Sequence, residues 1–302
     1  MAAPPLLRAL RPHQWVKNAF VLAPLVFAAA DRRPDQGVES AAIGRTLLAF
    51  AAFCLAASAV YLANDVLDAP RDRLHPEKRR RPVAAGGLGA GTALGASLVL
   101  AAGALALALL VPGEPWPVAP WIAAYLILNA LYGLWLKAVV LLDVFCIATG
   151  FVLRVAAGGV AAHAEVSHWL FLCTFLLALF LGFSKRRAEL AALAPGAVPA
   201  RANLREYSLA FLDQMTGVLA ACTIVCYTMY TVDPATIAKF GAGSRLVWTV
   251  PFVAFGIGRY MLLVQDGRAG EKPTRVLLGG DGWFLLNLLA WAGTVGFALF
   301  LR

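Results

Sequence analysis

The sequence predicts an all-α fold: a polytopic membrane helical bundle with about nine transmembrane helices around a cytoplasm-facing polar cavity. Three observations predict it. Of 302 residues, 61% are hydrophobic and only 14% charged. The apolar residues gather in runs mostly 17 to 23 residues long, and about 20 helical residues cross ~30 Å of hydrocarbon. Lys and Arg, finally, concentrate in alternate loops. One domain is expected over 1–302, its site capped by short cytoplasmic loops at about 66–87, 184–208 and 266–282.

Apolar runs between polar or Pro/Gly-containing breaks place the spans near 16–30, 43–65, 88–111, 117–136, 139–160, 167–183, 209–231, 246–265 and 283–301. No small-residue cleavage site follows the charged leader "LRALRPHQWVKN", so the first span is expected to remain. Trp15 and Lys17 open it at an interface position, where an amphipathic anchor is the default. Across these spans 18 Lys and Arg fall on the side of the N-terminus and six on the other. That bias puts the N-terminus in the cytoplasm and, with nine spans, the C-terminus opposite, in a multi-pass protein of the cell (inner) membrane. It also accounts for the net charge of +9 without nucleic acid. Cys54, Cys146, Cys173, Cys222 and Cys226 all lie inside apolar runs without metal-ligand spacing, so they are expected to be small core residues.

The second span ends in "NDVLDAPRD", that is Asn64, Asp65, Asp68 and Asp72. Spacings of three and four put the three aspartates on one helix face. Like charges so aligned repel, and a hard divalent cation with an oxygen shell is an economical partner. Mg2+, which shares itself between one or two carboxylates and substrate phosphates, suits the position. The competing expectation is a solvated helix end paired to Arg71, Arg73 and Lys78. Pro70 lies inside the motif and lacks an N–H, so a kink or restart is expected there.

"HPEKRRRP" follows directly, and a cationic run beside carboxylates is what a phosphorylated ligand needs. His75 before Pro76 reads as a turn residue and not as a base. Other span ends repeat the theme. Tyr132 and Lys137 close the fourth; Asp143 and Arg154, eleven residues apart, share a face of the fifth with Gly150 between them. Charges inside a span face a partner or a water-filled cavity, so a pocket wall or a structural buried pair is expected there. Lys185, Arg186, Arg187 and Glu189 end the sixth span, while Arg259 and Tyr260 lie near the end of the eighth, where Arg259 either joins the site or snorkels to headgroups. From the residues alone, the reading is an intramembrane enzyme that binds a diphosphate-bearing donor at its cytoplasmic side.

With its nine spans, the Asn-Asp-x-x-Asp-x-x-x-Asp signature resembles the UbiA superfamily of intramembrane prenyltransferases. "RPHQWVKN", "NDVLDAPRDRLHPEKRRRP", "LK" with "GFVLRVAAGG", "SKRRAEL" and "GRYMLL" together are similar to its decaprenyl-phosphate phosphoribosyltransferase branch, from Arg11 to Tyr260. The resemblance implies transfer of a 5-phosphoribosyl group from phosphoribosyl diphosphate to a polyprenyl phosphate lipid. It implies Mg2+ held with the diphosphate by Asn64, Asp65, Asp68 and Asp72, with Asp68, Asp72 and Asp143 catalytic. Lys17, Lys78, Arg79, Arg81, Tyr132, Lys137, Arg154, Lys185, Arg186 and Arg259 would bind the substrate phosphates. An arabinan-precursor route is the pathway so implied. The chain departs from the pattern at Pro70, at Arg80, at Thr274 and by one extra residue before Asp281, which leaves Asp281 without a carried-over role.

The chemistry agrees with the residue types. Loss of diphosphate builds negative charge on the leaving group and oxocarbenium character on the ribose, so cations on the diphosphate lower the barrier. The acceptor is already an anion and needs no protein nucleophile. Two alternatives stand. A UbiA-type enzyme moving a prenyl group to an aromatic or quinone precursor would carry a second D-x-x-x-D, and Asp143 stands alone in the matching region. A transporter would show an inverted repeat or paired interrupted spans, and neither is visible. Membrane lipids are expected neighbours, and Gly/Ala-rich faces permit a homo-oligomer.

Overall fold

The computed structural model describes residues 4–33, 38–74, 78–112, 117–193, 202–241, 245–267 and 280–300. His75, Thr274 and the cations Arg268, Lys272 and Arg275 lie outside them. Among the described residues the chain is helical without strands: α1 (Pro5–Leu10), a 3-10 segment Pro12–Val21, α2 (Ala23–Ala29), α3 (Ser40–Asp72), α4 (Ala90–Leu109), α5 (Ala119–Leu134), α6 (Leu142–Ala162), α7 (His168–Ala191), α8 (Leu209–Val232), α9 (Pro234–Phe240), α10 (Val250–Gln265) and α11 (Gly282–Phe300). Seven helical stretches, α3, α4, α6, α7, α8, Arg245–Gln265 and α11, are long and apolar enough to cross a bilayer. The protein is therefore an all-α, multi-pass membrane protein.

Two expected spans look different. Residues 16–30 do not form one α-helix: the 3-10 segment beginning at Pro12 runs to Val21, and α2 starts anew with Pro24 in its first turn. Each proline removes a backbone donor, and a new helix start is where that loss costs least. The fourth span, α5, has 16 residues.

The chain divides into two compact units. The first comprises Met1–Val26 and Val38–Val166. Its core is built from small side chains on α3, α4, α5 and α6 around Phe53, Ile122 and Tyr125, and small residues let helix backbones approach closely in lipid. Gly158 marks the tightest approach: a Cβ there would sit 2.1 Å from the Val21 carbonyl oxygen. The N-terminal segment docks on α3. Trp15 Nε1 donates to Ser58 Oγ at 3.1 Å, and Ser58 in turn donates to the Leu10 carbonyl at 3.0 Å.

The second unit comprises Phe27–Gly37 and Ser167–Arg302. Phe183, Tyr207 and Phe211 pack ring against ring, and Tyr227 links Thr249 and Trp291. Ala30, Phe240, Leu246, Ala298 and Leu299 form a further core. All five cysteines are free; Cys54 and Cys226 are buried as expected, whereas Cys222 is exposed on α8.

Candidate active site

α3 runs unbroken through Pro70, so the acidic motif ends one 33-residue helix and no second helix starts there. At 1.5 Å per residue the helix is about 50 Å long, well beyond the ~30 Å of hydrocarbon. Its last turns project, and those turns carry the acids. Proline is tolerated because it sits one turn from the end, where only the Val66 carbonyl loses its donor.

Three cations from three segments answer the three aspartates. Arg81, returning on the loop after α3, places Nη1 2.6 Å from Asp72 Oδ2 and 3.4 Å from Asp65 Oδ1. Arg11 pairs with the same Asp65 oxygen, and its guanidinium lies over the Tyr61 ring, 5.1 Å from the centroid. Lys137 donates to Asp68 Oδ1 at 2.7 Å. The partners are thus Arg11, Arg81 and Lys137, and not the Arg71, Arg73 and Lys78 that the local sequence offers. Asp65 and Asp72 share one arginine, whereas Asp68 turns to Lys137 in the 3-10 turn Leu136–Ala138 that follows α5.

This end of α3 has the donors that Mg2+ takes. Asp65 Oδ2 is buried without a hydrogen-bond partner, and the ion pairs described for Asp68 and Asp72 each engage one oxygen. No three His, Cys, Asp or Glu side chains converge on one point among the described residues. That spacing suits an ion bound by one or two carboxylates that completes its shell with water and phosphate oxygens. Asn64 faces α5 and takes no hydrogen bond there.

The remaining candidates of the first unit separate into exposed and interior groups. Arg79 is exposed on the turn after α3, and Lys78 beside it is partly buried. Tyr132 in the last turn of α5 and Lys137 in the 3-10 turn Leu136–Ala138 beyond it are partly buried. Lys17 makes no hydrogen bond or ion pair among the described residues, and its charged neighbours are the cations Arg154 and Arg11. Arg154 is a structural interior group. Its Nε donates to Asn18 Oδ1 at 2.8 Å, Nη1 to the Gly150 carbonyl at 2.7 Å and Nη2 to Tyr125 Oη at 3.0 Å. Phe53, Tyr125 and Phe151 surround the guanidinium with ring faces. Asp143 is fully buried in the first turn of α6, where an acid suits the helix dipole. The turn before it is strained: Leu141 has φ 68° and ψ −47°, and the Leu142 N–H closes on the Val140 carbonyl at 2.9 Å, a γ-turn.

The second unit holds Lys185, Arg186 and Arg259. Arg186 is fully buried against Glu189, which Lys185 also approaches at 3.8 Å. Arg259 has a carboxylate partner. It donates from Nε and Nη2 to both oxygens of Asp281, at 3.1 and 2.7 Å, and Asp281 Oδ1 also caps α11 by accepting from the Phe284 N–H at 2.8 Å. Sequence reasoning missed Arg11, Asn18 and Asp281 as participants. The first two stand inside "RPHQWVKN", but partners 54 and 136 residues away leave no spacing to read.

A membrane helical bundle whose longest helix ends in three carboxylates ringed by arginine and lysine is the class this fold and site define. The model of the UbiA prenyltransferase family matches residues 19–188, and the chain belongs to that family. It is 33% identical over 302 residues to decaprenyl-phosphate phosphoribosyltransferase of Mycolicibacterium smegmatis, with 98% of this chain and 92% of that protein covered. To the protein of the same name from Mycobacterium tuberculosis H37Rv it is 34% identical over 299 residues, covering 97% and 94%. Among solved structures, a UbiA homolog from Archaeoglobus fulgidus bound to GPP and Mg2+ superposes with a TM-score of 0.67 at 19% identity, over 97% of this chain and 99% of that one.

Proposed function

We propose that the protein is a membrane glycosyltransferase that moves a 5-phosphoribosyl group from phosphoribosyl diphosphate to a polyprenyl phosphate of the decaprenyl type, releasing diphosphate. The observation that carries this reading is the acidic end of α3 with its ring of cations, in a chain similar along almost its whole length to decaprenyl-phosphate phosphoribosyltransferases. In the reaction an oxygen of the lipid phosphate bonds to the anomeric carbon as the bond from that carbon to the diphosphate oxygen breaks, and diphosphate leaves with the electron pair. No proton needs to move.

One or two of Asp65, Asp68 and Asp72, with Asn64 beside them, would hold Mg2+, which would supply charge neutralisation to the leaving diphosphate. Arg81 and Lys78 then donate to phosphate oxygens, the charge-assisted contacts that strengthen as the leaving group gains charge. Lys17 supplies an ammonium with no carboxylate of its own, suited to a second phosphate. Asp143 supports the ribose or its developing positive charge. The roles of Arg79, Tyr132, Lys137, Lys185, Arg186 and Arg259 at the phosphates, and of Asn64 at the metal, rest on the family resemblance, and Arg154 serves by holding the interior beside Lys17. Residues 12–29 and α5 are assigned as further crossings. That gives nine, with a cytoplasmic N-terminus, the acidic site facing the cytoplasm and the C-terminus on the opposite side of the cell membrane.

The test is incubation of purified protein with Mg2+, phosphoribosyl diphosphate labelled in the ribose, and decaprenyl phosphate. Label in the organic extract supports the reading. Consumption of a prenyl diphosphate with an aromatic acceptor, and no lipid-linked ribose, would replace it with prenyl transfer.

A further inference from the structure

The end of α5 and the 3-10 turn Leu136–Ala138 that follows it each touch the acidic motif once. Gly133 is buried, and a Cβ there would lie 2.7 Å from Asn64 Oδ1 and 3.4 Å from Leu67 Cδ1. The space above Gly133 is therefore filled by the Asn64 amide. Four residues on, Lys137 holds Asp68, which is itself four residues beyond Asn64. α5 ends at Leu134, and Lys137 stands in the 3-10 turn just beyond it, so the last turn of α5 and the turn that follows it meet α3 at two positions a helical turn apart along α3.

The two contacts differ in kind. Lys137 and Asp68 are fixed by an ion pair. Asn64 makes no hydrogen bond with any described residue, so shape alone sets its side chain. It also borders a cavity of about 280 Å³ between α3, α4 and α5, whose walls are otherwise apolar apart from Ser97 and Asn129. Those two donate to the carbonyls of Ala59 and Tyr125. The cavity offers Asn64 room to turn into, and the missing side chain at residue 133 lets it stay against α5.

We infer that Gly133 is a positioning residue for Asn64: the notch it leaves in α5 holds the first residue of the acidic motif in register with the Lys137–Asp68 pair. The inference rests on the proposed function for its kinetic effect. Its geometric content is independent.

The test is a double-mutant cycle of Gly133→Ala and Asn64→Ala in the full-length protein. The colliding atom is the tip of a flexible side chain, so Gly133→Ala is expected to keep the wild-type melting temperature. Transfer falls roughly 10- to 100-fold, as for a displaced positioning group, and Mn2+ binding followed by electron paramagnetic resonance weakens. With Asn64→Ala already present, Gly133→Ala has no further effect on either readout. Losses that multiply in the double variant, or full activity and Mn2+ affinity in Gly133→Ala, overturn the inference. If Gly133→Ala instead lowers the melting temperature, recovery in the double variant supports it and no recovery overturns it. Should the wild type transfer nothing, the function fails, and the Mn2+ titrations and melting temperatures still decide the positioning role.

Discussion

Asp68 meets Lys137 while Asp65 and Asp72 share Arg81 and Asp65 also takes Arg11, so one helix face hands its carboxylates to three different cations. The spacing of three and four made the acidic face legible in the sequence. The pairing was not, because Arg11, Arg81 and Lys137 come from segments whose approach only packing decides. Asp68 is partly exposed, so charge reversal there spares the core. Asp68→Lys is expected to lower transfer by more than ~100-fold while the protein still purifies from membranes with an unchanged melting curve; retained activity would remove Asp68 from the site. Arg154 shows the opposite balance. "GFVLRVAAGG" suggested a polar stripe facing a pocket, but three hydrogen bonds and three aromatic faces make the guanidinium part of the packing. Arg154→Leu leaves Asn18 Oδ1 and Tyr125 Oη without the donor they accept from, and a loss of about 3 kcal/mol is expected, read as a lower melting temperature in detergent.

At the scale of elements, helix positions were legible from apolar runs, because about 20 such residues have few other uses. The break between Pro12–Val21 and α2 was not, since the same composition continues across it and only the prolines mark it. Nor was the contact behind Gly158. The glycine pair in "RVAAGG" is visible in sequence, yet its cause is the Val21 carbonyl oxygen pressed onto the helix. Because backbone cannot yield as a side chain does, Gly158→Ala is expected to cost about 1–3 kcal/mol and to loosen α6 from the N-terminal segment, which faster proteolysis near Val21 would report. The turn after α2 depends on pH. Burial of Asp31 opposes its ionisation, but hydrogen bonds from the Arg33 side chain and N–H, with the nearby Lys239, outweigh that and hold its pKa below the ordinary 3.8. A depressed pKa gives stability that is present above the unfolded value and lost as pH falls through the folded one. Asp31→Asn should therefore melt lower than wild type at pH 6, with the gap narrowing below about pH 4; a gap that stays constant with pH would contradict this.

For the whole molecule, composition and loop charge carried the membrane class, and the motifs carried the family, which the match over residues 19–188 establishes. Apolar walls say least: the cavity beside Asn64 is lined by Ala, Leu and Val that read in sequence like any other helix contact. The central claim is that α3 presents carboxylates so that diphosphate leaves a ribose while a lipid phosphate takes its place. The most direct measurement uses phosphoribosyl diphosphate carrying one label in the ribose and another in the diphosphate, with decaprenyl phosphate and the purified protein. The account predicts that the ribose label enters the lipid fraction while an equal amount of the other label is released into water as free diphosphate, that chelation stops both, and that added Mg2+ restores them. Diphosphate label in the lipid fraction, or transfer undiminished by chelation, would contradict it.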